Sequence, residues 1–392
     1  MKQITFCIPS KSNLRYLKTC IPSIRENAYR KDHEIVIFVD SDEDGTIEWL
    51  NQVKDTYNIT FFVNPNLDKS LFGIGSAYDY CVEKSTTDIF MIFHADMMLG
   101  KNADLYAFNQ LTRKTVVCST RIEPPIHPNN GEKILLDFGM WPEEFKKDEF
   151  NAYVESCLDS TKITSGIFAP WMMYKSDYIA LGGHDPILKS CREDSDIFNR
   201  MKLAGYNFIQ PWNSLVYHLT GRGAGSFQGD VARHEAWKRE MENSTKEFIR
   251  KWGSGVRHTD LMLPIVTPKY DIGLVIHNCN EQLLNVLEPW CSSVYVDCDI
   301  DVYIQAEQIN TAFQLSDRIK HINDIKSNDV LIEFDANRIT IQTFNIIQNI
   351  SDIITNTNDT GQFQIDCLTI NINQLKTYEH MLITCSDNIY NK

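Results

Sequence analysis

A mainly parallel α/β sheet with helices on both faces, followed by a second and smaller α/β unit, is the architecture the sequence predicts. Two observations carry it. Up to about residue 250, short apolar runs bounded by charge alternate with longer helical patterns. The charge balance then changes: residues 270–392 hold 6 Lys+Arg against 17 Asp+Glu, a balance of −11, which leaves only −3 of the chain's −14 for residues 1–269.

The elements follow in order. Residues 4–8 are too short an apolar stretch for a secretory leader and end in Pro9-Ser10-Lys11, so they read as a first strand. A helical pattern over 14–24 comes next, then a strand over 34–39, a helical pattern over 46–57 and a strand over 59–63. A glycine-containing helical pattern over 73–84 leads to a strand over 89–93. Strand, helix, strand in this sequence predicts a parallel sheet, whose ligands sit at the carboxyl ends of the strands. Those ends carry Pro9-Ser10-Lys11, Asp40-Ser41-Asp42 and His94-Ala95-Asp96, so three polar clusters are expected to converge on one crevice.

A charged helical stretch over 235–251 precedes Gly253, Gly255, Pro264 and Pro268, which punctuate a linker over 259–269. The expected division is thus 1–258, a linker over 259–269, and an acidic unit over 270–392. In that last unit the patterns over 272–276, 282–290 and 293–297 resemble those over 4–8, 14–24 and 35–40, and 329–335 resembles 88–94. Either it is a degenerate, shortened copy of the first half-domain, or it is an unrelated small α/β domain.

Composition bounds the function. With 392 residues, 43% of them hydrophobic, each unit can bury a core, and disorder of the whole chain is excluded. A net charge of −14 argues against a surface that tracks nucleic-acid phosphates or anionic membranes, since both need clustered cations. The longest apolar runs are strand-length, far from the ~20 residues of a membrane span. Eleven cysteines without a Cys-x-x-Cys pair fit neither a zinc module nor a disulfide framework, which favours free thiols in a reducing, cytoplasmic setting.

Three clusters can carry chemistry. In His94-Ala95-Asp96, a carboxylate just after a buried strand is placed to bind a hard divalent cation, and the spacing i, i+2 lets two ligands face one side. The alternative is an Asp that caps a turn. Glu193-Asp194-Ser195-Asp196 opens a helix, where acids complement the macrodipole, but three acids in four residues exceed what one cap requires. One of them is suited to take a proton from an incoming hydroxyl. His218 ends a strand-like run and is either a packed core histidine or part of a site. The Gly221-Arg222-Gly223 loop after it suits closure over a phosphate, and its lack of Gly-Lys-Ser/Thr rejects a P-loop.

Pro-Ser-Lys-Ser-Asn after the first strand, Asp40-Ser41-Asp42 after the second, Gly73 to Asp79, then His-Ala-Asp, Glu-Asp and a late His together resemble a family 2 glycosyltransferase of the GT-A fold, over residues 1–258. The resemblance implies a sugar moved from a nucleotide-diphosphate sugar, with a UDP-sugar favoured, to a hydroxyl of a glycan, lipid or protein acceptor, with inversion. Pro9, Asp40 and Asp42 would hold the base and ribose. Asp96 matches the last Asp of the family's Asp-x-Asp motif and His218 its late histidine, so both would bind Mn²⁺ or Mg²⁺. Asp194 matches the base, with Glu193 beside it. Gly73 and His94 would also bind the nucleotide sugar, Arg222 would neutralise the departing diphosphate, and Gly166 and Trp171 would shape the acceptor site.

Two departures stand out. His94 replaces the motif's first Asp, which subtracts negative charge and makes metal affinity pH-dependent. Tyr78 stands where the family often has Arg, and Lys69 or Arg222 is the expected substitute. Two other classes fit parts of the pattern: a nucleotidyltransferase, and a non-catalytic carbohydrate-binding or scaffold protein. The unit over 270–392 has no Glu-Asp partner for Asp335, so packing, acceptor capture or homo-oligomerisation is expected of it rather than catalysis.

Overall fold

The computed structural model describes residues 1–67, 70–220 and 231–384. Its strands are β1 Thr5–Lys11, β2 Glu34–Ser41, β3 Ile59–Val63, β4 Ile89–Ile92, β5 Met97–Leu99, β6 Thr115–Cys118, β7 Thr120–Glu123, β8 Ile134–Leu135, β9 Ile163–Thr164, β10 Trp171–Tyr174, β11 Asn207–Pro211 and β12 Leu215–His218. Then come β13 Ile272–His277, β14 Ser293–Val296, β15 Ile319–His321, β16 Val330–Asp335, β17 Gly361–Ile365 and β18 Leu368–Ile372. By internal contacts the chain forms two units, Met1–Lys238 with His258–Pro264, and Arg239–Arg257 with Ile265–Lys392.

In the first unit an eight-stranded sheet runs β3-β2-β1-β4-β10-β6-β11-β9, and a four-stranded sheet runs β5-β12-β7-β8. The pairs β1–β2, β2–β3 and β1–β4 are parallel, as the alternating pattern predicts, and β10 adds antiparallel to β4. Strand β1 continues through the polar residues expected to follow it. Its pairing with β4 stops at Cys7, so Pro9 lies where the strand has one neighbour, a place that tolerates the missing N–H.

Helices α1 Leu14–Asn27, α2 Thr46–Val53 and α3 Ile74–Lys84 connect the parallel strands. Helices α1 and α3 each bury one apolar stripe: Leu17, Cys20, Ile21 and Ile24 on α1, and Ala77, Tyr78, Cys81 and Val82 on α3. Helix α2 stops at Val53, short of the expected 57. Arg25 donates from Nε to the Tyr57 carbonyl at 2.8 Å and from Nη2 to the Asn58 carbonyl at 3.2 Å, and Asn58 turns into the left-handed region at φ 46°.

The second unit carries one sheet in the order β15-β14-β13-β16-β18-β17. Its first four strands are parallel and β18 is antiparallel to β16, which is the order and direction of β3-β2-β1-β4-β10. The charged stretch after residue 238 belongs to this unit. On it Phe248 and Trp252 are core residues, and Arg250 is fully buried. Its guanidinium donates to Glu288 at 2.7 Å and Glu307 at 2.7 Å, and Arg318 donates to the other Glu288 oxygen at 2.7 Å. The charged helical stretch is thus anchored by a buried ion network.

All ten cysteines among the described residues are free thiols. No described helix is long and apolar enough to cross a membrane.

Candidate active site

Strand pairing builds the site. After β4, Phe93 donates its N–H to the Cys7 carbonyl at 3.0 Å, and the chain turns through His94-Ala95-Asp96 into β5. Strand β12 pairs antiparallel with β5, His218 opposite Met97, and the Leu219 N–H reaches the Asp96 carbonyl at 3.1 Å. A residue remote in sequence is thereby set against the turn.

His218 Nε2 lies 3.5 Å from Asp96 Oδ1, and His94 Nδ1 lies 4.0 Å from the same oxygen. The ligand atoms of His94, Asp96 and His218 all fall within 4.8 Å of one another, the one such group among the described residues. Two imidazoles and one carboxylate suit Mn²⁺ and other borderline divalent ions, and a hard oxygen ligand keeps Mg²⁺ in reach.

Behind this group stands Glu123. Strand β7 runs parallel to β12, with Tyr217 against Ile122, so the next residues, Glu123 and His218, come together. His218 Nδ1 donates to Glu123 Oε1 at 3.0 Å, which turns Nε2 toward Asp96. Arg121 at 2.7 Å and Lys133 at 3.0 Å hold the Glu123 carboxylate in place.

The electrostatics follow from these neighbours. Burial opposes charge on His218, but Asp96 and Glu123 on either side overcome it and push the imidazole up to about 9. Burial dominates at His94 and pulls it down to about 4. Asp96 and Glu123 are both held below the usual carboxylate range against burial, each chiefly by His218, with Arg121 helping at Glu123. A cation is therefore favoured between two ionised carboxylates, and a neutral His94 is free to offer a lone pair.

A cavity of 340 Å³ opens in front. Pro9, Ser10 and Lys11 from β1, Asp40 from β2, Gly73 and Tyr78 around α3, His94, Asp96 and His218 all line it. Ser10 Oγ and Tyr78 Oη are buried without a hydrogen-bond partner, which marks them for the polar groups of a ligand. Tyr78 stacks near-parallel to His94, with ring centres 6.3 Å apart.

Asp40 is differently employed from the sequence expectation. Its carboxylate accepts from the Asn64 amide at 2.8 Å, the Phe72 N–H at 2.8 Å and the Gly73 N–H at 3.3 Å, so it shapes the wall instead of presenting free oxygens to a ribose. Gly73 has φ +95°, and a Cβ there would meet the Lys189 backbone at 3.1 Å. Asp42 does not line the cavity. It accepts from the Ile47 N–H at 3.3 Å at the start of α2.

The helix Glu193–Leu203 brings the two candidate bases. Glu193 Oε2 is buried and unpartnered, and burial together with the charge of Asp194 pushes the carboxyl up to about 8. Asp194 is partly exposed, and its Oδ1 accepts from the Ser195 N–H at 2.6 Å. Neither acid lines the cavity. Glu193 stands behind it: a Cβ on Gly75 of α3 would come within 3.4 Å of the Glu193 Cβ.

The acceptor expectation needs correction. Trp171 is 2% exposed and packs edge-on against Phe90 and Phe198, so it offers no face to a sugar. Gly166 is buried under the Leu261 carbonyl, 2.5 Å from where a Cβ would sit. Of that segment, Phe168 reaches the cavity wall. Lys69 and Arg222 lie outside the described residues, and the cations that line the cavity are Lys11 and Lys189. Glu123, Arg121 and Lys133 went unnoticed in the sequence, because only strand register joins them to His218.

The model of the glycosyl transferase family 2 matches residues 5–173. Among solved structures, GalNAc-T7 with UDP, GalNAc and Mn²⁺ is 12% identical with a TM-score of 0.41, covering 64% of this chain and 50% of its own. TarS of S. aureus is 11% identical with a TM-score of 0.42, covering 63% of this chain and 40% of its own. The chain thus spans half or less of the length of these two proteins. None of the curated protein sequences matches it.

Proposed function

We propose that this chain, whose residues 5–173 match the glycosyl transferase family 2 model, moves a sugar from a nucleotide-diphosphate sugar to an acceptor hydroxyl in a metal-dependent, inverting displacement. The observation that carries the reading is the convergence of His94, Asp96 and His218 at the mouth of a cavity on the carboxyl ends of β1, β2 and β4. Asp96 and His218, joined by His94, would hold Mn²⁺ or Mg²⁺. Once bound, that ion supplies the positive charge that offsets the departing nucleoside diphosphate.

The chain's own residues supply the rest. Glu123 fixes the orientation of His218. Ser10 and Tyr78 hydroxyls meet polar groups of the donor, and Lys11 and Lys189 face its phosphates. Asp194 accepts the proton of the attacking hydroxyl. Glu193, protonated at neutral pH, cannot take that role, so the two neighbouring acids divide into a base and a neutral residue packed behind the cavity. A base on the face opposite the leaving group gives inversion at the anomeric carbon. The shared strand order supports reading the second unit as a shortened copy of the first half, without its catalytic set.

Nucleoside diphosphate release, measured over a panel of nucleotide sugars beginning with UDP-sugars, tests this. Release that depends on Mn²⁺ or Mg²⁺ and stops in EDTA is expected. Full turnover in chelator would remove the metal, and turnover of a nucleoside triphosphate alone would favour a nucleotidyltransferase.

A further inference from the structure

The second unit holds a cavity of 790 Å³, larger than the crevice of the first. Asp271 before β13, Ser293 at the start of β14, Lys320 in β15 and Asn328 before β16 form its wall. Lys376 and Tyr378, which follow antiparallel β18, complete it. It therefore opens at the amino edge of the parallel strands, whereas the first unit's crevice uses the carboxyl edge of its own sheet.

Charge distinguishes this cavity. Residues 270–392 contain 6 Lys+Arg among 17 Asp+Glu, yet three of the six, Arg318, Lys320 and Lys376, line this one space. Lys269 adds a fourth cation, and Asp271 and Asp317 are the acids on the wall. Asp271 is engaged by the Asn328 amide at 2.7 Å. Arg318 is locked by Glu288 and by the Cys291 carbonyl at 2.6 Å. Burial first, and then the charges of Arg318 and Lys251, hold Lys269 down to about 7.

Apolar faces accompany the cations. Arg318 lies 5.1 Å over the Phe313 ring and Lys376 lies 4.6 Å over the Tyr378 ring. A positive cavity of this volume, with aromatic faces and side-chain amides and hydroxyls, exceeds what an inorganic anion needs and suits a sugar that carries charge.

We propose that this cavity binds an anionic saccharide, one bearing a carboxylate or a phosphate, at a site separate from the crevice of the first unit. The inference does not rest on glycosyl transfer, and its failure would leave that reading untouched.

The test is calorimetric titration of the full chain in EDTA with tri-galacturonic acid, glucose 6-phosphate and neutral maltotriose. Binding of at least one anionic probe is expected, weakening as salt rises, and the stronger of the two assigns carboxylate or phosphate. The double substitution Lys320→Glu with Lys376→Glu is expected to weaken that binding at least tenfold without lowering the melting temperature, while Asp96→Asn leaves it unchanged. The proposal is overturned if neither anion binds, if maltotriose binds as tightly, if the double variant binds like the parent, or if Asp96→Asn abolishes binding.

Discussion

Asp194 and Glu193 are adjacent in sequence and opposite in circumstance, and that contrast sets the first expectation. Asp194→Asn should lower transfer by ~10²–10⁴-fold with donor affinity nearly unchanged, while Glu193→Gln should retain most activity. Steady-state kinetics with a donor titration decide it, and equal losses would contradict the division of roles. Glu193 also makes a pH signature. The folded carboxyl keeps its proton to about 8, whereas the unfolded one loses it near the ordinary 4.5. Stability fully present below 4.5 is therefore lost as pH rises toward 8, by up to ~1.4 kcal/mol per pH unit. Denaturant unfolding of Glu193→Gln should lack that slope. At Glu123 the expectation concerns positioning: Glu123→Gln should weaken Mn²⁺ binding by ~10–100-fold through His218, read by direct metal titration. Asp96 and His218 were legible in the sequence because each sits at a strand end in an ordered set of motifs. Glu123 was not, since nothing local distinguishes a buried carboxylate in a four-residue strand until its neighbour in the sheet is known. Trp171 misled for the converse reason: an aromatic beside a motif has the same letter whether it faces a sugar or the core.

Elements position these residues through close approach. The Gly73 turn brings α3 against residue 189, with the Ile74 N–H on the Lys189 carbonyl at 3.0 Å and the Asp40 carboxylate gathering the loop behind it. Gly73→Val puts a branched side chain at φ +95° and into the Lys189 backbone. It should cost ~1–3 kcal/mol of stability and raise the donor KM more than it lowers kcat, because the cavity wall moves while Asp194 does not. A kcat loss with KM unchanged would place the loop's role elsewhere. The parallel half of the sheet was legible, since apolar runs alternating with helical periods admit few other arrangements. The crossing of β10 between β4 and β6, and the small sheet that carries β12, follow from long-range pairing that no local pattern encodes.

At the scale of the whole molecule, two sheets share the order of five strands and carry cavities at different edges. The first gathers His94, Asp96 and His218 at the carboxyl edge. The second places half of the six cations of residues 270–392 around the cavity at the amino edge, so the −11 balance of that range describes the remainder of its surface and not that cavity. The central claim concerns the first unit: a divalent ion shared by His94, Asp96 and His218 in front of a nucleotide. Diffraction from crystals soaked with UDP and Mn²⁺, recorded at the manganese edge, tests it most directly. One anomalous peak within coordination distance of Asp96 and His218, touching the diphosphate, is the expected result. A peak elsewhere, or UDP in the crevice with no manganese beside these residues, would contradict it.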